Sequence, residues 1–203
     1  VIFDETDPTA PSVTIYSDNA NPALAQVGDV VTLSFTVDEP LLGSPTVTID
    51  GNATTIGGAY PSYTASYTMV GGETEGSLAF TLNFTDAVGN AATQIVATTD
   101  LSTVTFDQTP PTAPTVTIYS NNGNTGRAKI NDIVTLSFTV SEPLLGSPTV
   151  TIDGNAATIS GSYPSYTASY TMQSGDTQAA ALGFTLDFTD AVGNPGVQVT
   201  AVT

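Results

Sequence analysis

The side chains of this sequence that could do chemistry are carboxylates and amides at matched positions in its two halves. The run FTDAVGN occurs twice, and each time an asparagine lies four residues after an aspartate. Ca²⁺ takes roughly six to eight oxygen ligands from carboxylates, amide and backbone carbonyls, and water. These residue types therefore predict calcium sites. The candidate ligands are Asp4, Asp38, Glu39, Asp86 and Asn90 in the first half and Asp107, Glu142, Asp190 and Asn194 in the second.

The charge of the chain points in the same direction. Its 19 Asp and Glu residues outnumber two basic residues, Arg127 and Lys129, so the formal net charge is -17. Nucleic acid is excluded as a partner because phosphate binding needs clustered Lys and Arg. An anionic membrane repels such a chain, whereas divalent cations are attracted to it, and no apolar run is long enough for membrane insertion. An acidic surface that only prevents association is the alternative explanation.

Cysteine and histidine are both absent from the sequence. Their absence removes thiol nucleophiles, imidazole bases, disulfides and most zinc sites. Paired carboxylates can hydrolyse glycosides, but one of them must have a raised pKa inside a cleft, and two near-identical repeats offer no evident cleft. We therefore expect that the chain is not an enzyme.

An internal repeat supplies the elements that must position the ligands. Asp29–Met69 and Asp132–Met172 are offset by 103 residues and differ at only five positions. The run EPLLGSPTVTIDGNA is unchanged between the copies. One inserted residue near 179–181 changes the offset to 104, which is the spacing of the two FTDAVGN runs. With 203 residues, the chain has room for two domains of about 100 residues each.

Period-two alternation and β-branched residues predict seven strands in each copy. Val31, Leu33 and Phe35 alternate with polar residues, which is typical of a strand with one buried face. Turn sequences recur at short intervals and no stretch has helical periodicity, which indicates a Greek-key sandwich. In the first copy the predicted strands A to G lie around Val13 and Ile15, Val31–Val37, Val47 and Ile49, Thr54–Ile56, Tyr63–Met69, Leu78–Phe84, and Ile95–Phe106.

Three motifs carry a resemblance to a known family. They are VTFDQTPPTAP between the copies, VVTLSFTVDEP and IVTLSFTVSEP in strand B, and FTDAVGN between strands F and G. In their order and spacing the chain resembles the tandem bacterial immunoglobulin-like repeats of large surface adhesins and biofilm-associated proteins. The resemblance implies an all-β fold, two tandem immunoglobulin-like Greek-key β-sandwiches joined by a short Pro-containing linker. It also implies a cell-surface location, a role as an extender, and calcium near the domain junctions.

The motif between the copies sets the predicted domain boundaries. VIFDETDPTAP at Val1 matches VTFDQTPPTAP at Val104. The double proline of the second motif fixes φ and removes backbone donors, which favours a short, extended linker. The predicted segments are the end of a preceding repeat with its linker at 1–7, repeat 1 at 8–106, a linker at 107–111, and repeat 2 at 112–203.

The two copies differ at their C-terminal ends. Thr203 aligns with Thr99, so repeat 2 has no counterpart of Leu101–Phe106 in this sequence. Two explanations stay open. One is a cut through a longer array, and the other is a final strand supplied by a neighbouring chain.

Strand direction predicts which loops meet. Because strands alternate in direction, the segment before strand A, the B–C loop and the F–G loop gather at one end of each sandwich. The candidate calcium ligands lie in these three segments, with Asp38 as an extra carboxylate in repeat 1. The alternative is that the aspartate of DAVGN only opens a turn and its glycine supplies a positive φ. Turn roles are predicted for the acidic residues of the opposite end, and the alternative is that they share the junction ion. These residues are Asp29, Asp50, Glu73, Asp132, Asp153 and Asp176.

The sequence thus favours a structural extender, the stalk segment of a bacterial cell-surface adhesin or extracellular filament, made rigid by calcium at the domain junctions. Near-identity of adjacent copies supports this function, because a spacer needs length whereas a specific binder needs one good surface. The expected partners are neighbouring immunoglobulin-like repeats of the same chain. Two alternatives stay open, a carbohydrate- or protein-binding module of a secreted protein and a strand-donating subunit of a surface fibre with homotypic contacts.

Overall fold

Buried and partly exposed side chains alternate along one of the two longest strands of the first repeat. Within Val30–Thr36 the side chains of Val31, Leu33 and Phe35 are buried, whereas the polar residues between them are partly exposed. The structure is a computed structural model that describes residues 3–178 and 181–203. All regular elements in those residues are β-strands. The same residues contain no helix that is long and apolar enough to cross a membrane.

The chain divides into two compact units, Val1–Gln108 and Thr109–Thr203, and this division falls inside the predicted linker. The strands of the first unit are β1 Ser12–Ser17, β2 Leu24–Ala25, β3 Val30–Thr36, β4 Thr46–Ile49, β5 Asn52–Ala53, β6 Thr55–Ala59, β7 Ser62–Thr68, β8 Gly76–Ser77, β9 Phe80–Asn83 and β10 Thr105–Phe106. Those of the second unit are β11 Thr115–Ser120, β12 Ile133–Thr139, β13 Thr149–Ile152, β14 Asn155–Ala156, β15 Thr158–Ser162, β16 Ser165–Thr171 and β17 Phe184–Asp187.

Two antiparallel sheets form the sandwich of the first unit. One sheet has the order β1-β3-β7-β6 and the other has the order β5-β4-β9. Leu33 lies opposite both Ile15 and Ala65, so the buried residues of three strands share one face. The buried apolar side chains of both sheets form one core. Pairing of strands that are distant in sequence, such as β3 with β7, gives the connections of an immunoglobulin-like sandwich.

The last strand predicted for the first repeat is more interrupted than expected. The sequence predicts a long, bulged strand from Ile95 to Phe106, but the structure has an isolated bridge between Ile95 and Leu82 and then the separate short strand β10. Leu101 lies between them with a φ of 63°, a left-handed conformation that an extended strand excludes. β10 pairs in parallel with β2 and antiparallel with β8, which makes a third small sheet.

The second unit repeats the two main sheets. Their orders are β11-β12-β16-β15 and β14-β13-β17. Leu136 lies opposite Ile118 and Ala168, the same register as in the first unit. The described residues of this unit contain no sheet that corresponds to β2-β10-β8. The predicted one-residue insertion falls mostly on Ala179 and Ala180, which lie outside the described residues.

Hydrogen bonds attach the residues on both sides of the linker to their own units. Gln108 accepts a bond from the Gly72 N–H at 3.0 Å and donates from Nε2 to the Glu73 carbonyl at 3.0 Å. In the second unit the Thr112 N–H donates to Ser141 Oγ at 2.9 Å, and the Ser141 N–H donates back to the Thr112 carbonyl at 2.9 Å. Only three residues, two of them prolines, lie between these attachments.

Candidate metal centre

A hydrogen-bonded turn orients the buried aspartate of the first FTDAVGN run. Asp86 Oδ1 accepts three backbone N–H bonds, from Val88 at 2.9 Å, Gly89 at 2.6 Å and Asn90 at 2.8 Å. Gly89 has a φ of 108°, a region that glycine enters without steric cost. The motif therefore forms the turn that the sequence predicts. Because Asp86 is fully buried as well, the turn holds its carboxylate in one place.

Asn90 joins this turn to the N-terminal segment. Its Nδ2 donates to Asp86 Oδ2 at 2.7 Å. The same amide group donates to the carbonyls of Asp4 and Thr6, each at 3.3 Å. The Thr6 N–H in turn donates to Asp4 Oδ1 at 2.9 Å. These bonds hold Asp4 beside Asp86, although the two residues are far apart in sequence.

The loop that carries Glu39 lies against the same turn. Leu41, two residues after Glu39, forms an isolated bridge with Asp86. As a result, carboxylate oxygens of Asp4, Glu39 and Asp86 all lie within 4.8 Å of one another. The predicted convergence of three separate segments at one end of the sandwich is confirmed for these residues.

The three carboxylates repel one another. Burial raises the pKa of Glu39 above its usual range. The negative charges of Asp4, Asp86 and Asp38 raise that pKa further. Burial alone would also raise the pKa of Asp86, but the hydrogen bonds from Asn90 and the other turn N–H groups lower it instead. The first unit contains no Lys or Arg, so none of its own basic side chains can neutralise the group.

The arrangement fits a calcium ion. Two oxygens on one Ca²⁺ lie at most about 5.2 Å apart, twice the longest usual Ca–O distance of about 2.6 Å, and the three carboxylates satisfy that limit. Asp86 would bind through Oδ2, because its Oδ1 already accepts three N–H bonds. Asn90 can offer only its amide oxygen, since its Nδ2 is a donor. Water and backbone carbonyls suit the remaining positions.

Asp38 lies outside this group of three carboxylates. Its carboxylate accepts bonds from the Thr9 N–H at 2.8 Å and from the Thr9 hydroxyl at 2.6 Å, which lower the pKa of Asp38. The second unit forms the corresponding attachment between Thr112 and the Ser141 hydroxyl. Asp38 therefore fastens the segment before β1. The sequence analysis did not predict this role. Its signal was the replacement of Asp38 by Ser141 in the second copy, because both side chains can accept a hydrogen bond.

The second unit builds the same turn from the second FTDAVGN run. Asp190 Oδ1 accepts N–H bonds from Val192 at 2.9 Å, Gly193 at 2.7 Å and Asn194 at 2.8 Å. Asn194 Nδ2 donates to Asp190 Oδ2 at 2.9 Å. Carboxylate oxygens of Glu142 and Asp190 lie within 4.8 Å of each other. The second unit thus reproduces three of the four candidate ligands of the first unit, namely Glu142, Asp190 and Asn194.

Asp107 is the sequence counterpart of Asp4 and belongs to the first unit. It directly follows β10, and its N–H donates to the Ala25 carbonyl at 3.0 Å. Its assignment as the third carboxylate of the second site rests on the sequence correspondence with Asp4 and stays a prediction.

The acidic residues at the opposite end of each unit hold their own loops together. Asp132 accepts bonds from Asn122 Nδ2 at 2.6 Å and from the Lys129 N–H at 2.8 Å. Asp176 accepts a bond from the Tyr170 hydroxyl at 3.1 Å. Matching bonds in the first unit involve Asp29 and Glu73. The turn interpretation is confirmed for these four residues.

Comparisons with known proteins support the fold. No family model and no curated protein matches the sequence. An I-band fragment of titin superposes with a TM-score of 0.54 at 11% identity, covering 98% of this chain and 64% of that fragment. DIP-gamma IG1+IG2 gives a TM-score of 0.41 at 14% identity, covering 97% and 96% of the two chains. Bacteroides ovatus SGBP-B, in complex with a mixed-linkage heptasaccharide, gives 0.26 at 15% identity over 88% and 41%.

The fold and the duplicated turn define the class of protein. The chain is an all-β module of two tandem immunoglobulin-like β-sandwiches. The chain spans just under two thirds of the titin fragment, and at 11% identity this likeness concerns the fold alone.

Proposed function

We propose that this chain is an extender segment of an extracellular protein, the stalk of a bacterial cell-surface adhesin or filament, in which calcium stiffens the junctions between immunoglobulin-like units. One observation carries the proposal. Asp4, Glu39 and Asp86 come from three separate segments and bring their carboxylate oxygens within 4.8 Å of one another. A cation would convert this mutual repulsion into a cross-link.

Calcium would act on the segment that leads into each unit. Asp4 precedes β1 of the first unit, and an ion shared with Glu39 and Asp86 would fasten that segment to two loops of the sandwich. In the second site, Asp107 would contribute as Asp4 does, together with Glu142, Asp190 and Asn194. Asp107 immediately precedes Gln108, the last residue of the first unit. Binding at this position would restrict the linker that follows.

The linker itself supports a spacer. Gln108 is hydrogen-bonded within the first unit and Thr112 within the second. The three residues between them include two prolines, whose φ angles are fixed. A linker of this length and composition has little of the freedom of a Gly/Ser tether. Near-identical units joined in this way suit a function that requires length.

Small-angle scattering and thermal unfolding, each with calcium and then with chelator, test the proposal. Calcium is expected to raise the melting temperature and to narrow the distribution of interatomic distances, and chelator is expected to reverse both effects. A chain with Glu39→Gln and Glu142→Gln should lose both responses, whereas Asp38→Asn should keep them. An unchanged melting temperature and scattering curve would rule out calcium stiffening. Saturable binding in a glycan screen would instead favour the carbohydrate-binding alternative.

A further inference from the structure

A shallow cavity opens on the outer face of the sheet β14-β13-β17 in the second unit. Val150 and Leu186 are buried on the inner face of this sheet, so the alternate residues Thr149 and Asp187 face outward. These two residues are direct cross-strand partners and therefore lie side by side. The cavity is lined by residues 145–147, 149 and 187–189 and has a volume of about 300 Å³. We call it the β13–β17 cavity.

A hydrogen bond holds the loop before β13 against the end of β17. The Leu145 N–H donates to the Thr189 carbonyl at 3.0 Å. Leu144 forms an isolated bridge with Asp190 one position further along. The loop thus makes one wall of the cavity, and its Leu145 side chain is 63% exposed. This exposed aliphatic surface is available for a ligand to cover, and covering it would favour binding.

Asp187 supplies the cavity with a carboxylate that has spare acceptor capacity. Gln198 Nε2 donates to its two oxygens at 2.8 and 3.1 Å. A carboxylate offers about four lone-pair sites, so one amide nitrogen leaves both oxygens able to accept further hydrogen bonds. The amide is neutral and does not cancel the negative charge. The hydroxyl oxygens of Ser147, Thr149 and Thr189, which also line the cavity, are further acceptors.

The basic side chains of the chain lie too far away to pair with Asp187. Arg127 and Lys129 are the only two, and both lie in the loop that precedes β12. The cavity adjoins the loop that follows β12. The seven residues of β12 separate the two loops by about 23 Å, at about 3.3 Å for each residue. The charge of Asp187 is therefore left for a ligand to neutralise.

The lining of the cavity selects the chemistry of that ligand. An anion would be repelled by Asp187. A metal ion is disfavoured, because the groups of three or more carboxylates that are close enough for one ion in the described residues do not include Asp187. We propose that the β13–β17 cavity binds a primary ammonium group on an unbranched aliphatic stem, the chemistry of a lysine side chain or of a small diamine.

Each part of this ligand has a counterpart in the cavity. An ammonium group has three donors, which suit the carboxylate of Asp187 and the neighbouring hydroxyl oxygens. The aliphatic stem would cover Leu145. The net charge of -17 attracts cations to the chain as a whole, and the cavity adds a place for the stem. The proposal goes beyond the extender function and uses none of the candidate calcium ligands.

The first unit provides a comparison within the same chain. Its matching residues, 42–44, 46 and 83–85, are identical to those that line the cavity except that Asn83 replaces Asp187. Gln94 corresponds to Gln198 and donates to Asn83 Oδ1 at 3.2 Å. A carboxamide has no net charge to attract an ammonium group. Binding is therefore expected in the second unit and not in the first.

An NMR titration of the isotope-labelled full chain with Nα-acetyl-lysine amide observes both units in one sample. The amide signals of Leu145 and Asp187 should shift and saturate, whereas those of Leu42 and Asn83 should not. Nα-acetyl-norleucine amide has the same stem without the charge and should bind at least about threefold more weakly. Added salt should weaken binding of the lysine derivative. Equal responses in the two units, no saturation, or equal affinities for the two compounds would overturn the proposal.

Exchanging one residue between the units gives an independent test. Asp187→Asn should abolish the response of the second unit, and Asn83→Asp should create one in the first. The dispersion of the amide signals shows in the same spectra that both variants are folded. A folded Asn83→Asp chain whose first unit gains no response would refute the role of the carboxylate. The result is expected both with calcium and with chelator, so it stands or falls separately from calcium stiffening.

Two further compounds distinguish the sources of the ammonium group. Cadaverine represents a free diamine, and the peptide Gly-Lys-Gly represents a lysine within a protein. Tighter binding of the peptide would assign the cavity to a lysine side chain of a partner, and tighter binding of cadaverine would assign it to a small amine. Failure of both compounds to shift the signals of Leu145 and Asp187 would overturn the proposal.

Discussion

Asn90 Nδ2 donates to Asp86 Oδ2 at 2.7 Å and reaches the carbonyl of Asp4 at 3.3 Å. One amide thus connects the turn of the first FTDAVGN run to the segment that precedes β1. The bond leaves the carboxylates of Asp86 and Asp4 close to each other and to Glu39. The turn is complete within the protein itself, so its contribution to stability can be measured separately from the contribution that we propose for calcium.

The turn of the second unit is expected to contribute strongly to stability. Replacing Asp190 with alanine removes the acceptor of three N–H groups in a buried turn. We expect the free energy of unfolding of the second unit to fall by about 2–3 kcal/mol, measured by urea denaturation with chelator present. Asp187→Ala removes the same charge from an exposed side chain and should cost less than about 0.5 kcal/mol. Equal losses would show that charge, not the turn, matters.

Calcium binding is expected to depend on Glu39. At a free calcium concentration one hundred times the dissociation constant, one bound ion stabilises the folded state by about 2.7 kcal/mol. Glu39→Gln should remove this gain from the first unit. Asp38→Asn removes the same charge one position earlier, but the Asp38 carboxylate is bonded to Thr9, so the gain should remain. Calorimetric titration of both variants makes the comparison, and identical calcium affinities would place the ion elsewhere.

Acid is expected to weaken the second unit through Asp132. The side chain of Asn122 and the Lys129 N–H lower the pKa of Asp132 below its ordinary value of 3.8. The unfolded chain therefore takes up this proton first, so the stabilising contribution is complete above about pH 3.8 and is lost as the pH falls through the folded pKa. Asp132→Asn should be less stable than the original chain at neutral pH, and the difference should shrink below pH 3.8. Urea denaturation at several pH values measures it, and a constant difference would contradict the assignment.

Gly58 is expected to tolerate no side chain. Its φ is 85°, and an added Cβ would collide with the carbonyl oxygen of Ser62. Gly58→Ala should therefore cost at least about 1–2 kcal/mol, the penalty for a left-handed backbone alone. Gly43→Ala is the matched control, because an added Cβ there meets nothing within 4 Å. Thermal unfolding distinguishes the two, and equal melting temperatures would mean that the strands at this position can separate without cost.

Much of the fold was predictable because its determinants are local or repeated. Alternation in Val30–Thr36 predicts a strand with one buried face, and the structure buries that face. Strand direction then brings Asp4, Glu39 and Asp86 together, because the three segments that carry them must lie at the same end of an antiparallel sandwich. Near-identity of the copies carries these inferences over to Glu142 and Asp190 within the second unit.

Other features depended on contacts between distant residues that no local pattern encodes. The bend at Leu101 replaces a predicted long strand by β10, and the parallel pairing of β10 with β2 has no sequence signal. The bonds of Asp38 to Thr9 likewise follow from where the two segments meet.

Sequence by itself determined the strands, the repeat and the set of carboxylates that meet, because alternation and duplication can be recognised directly from the order of the residues. Only the tertiary structure decided what each side chain contacts. Ala25 and Ala128 are the same residue in matching positions, yet Ala25, which pairs with β10, is buried and Ala128 is exposed. Burial depends on the tertiary surroundings of a residue, and residue type alone does not contain that information.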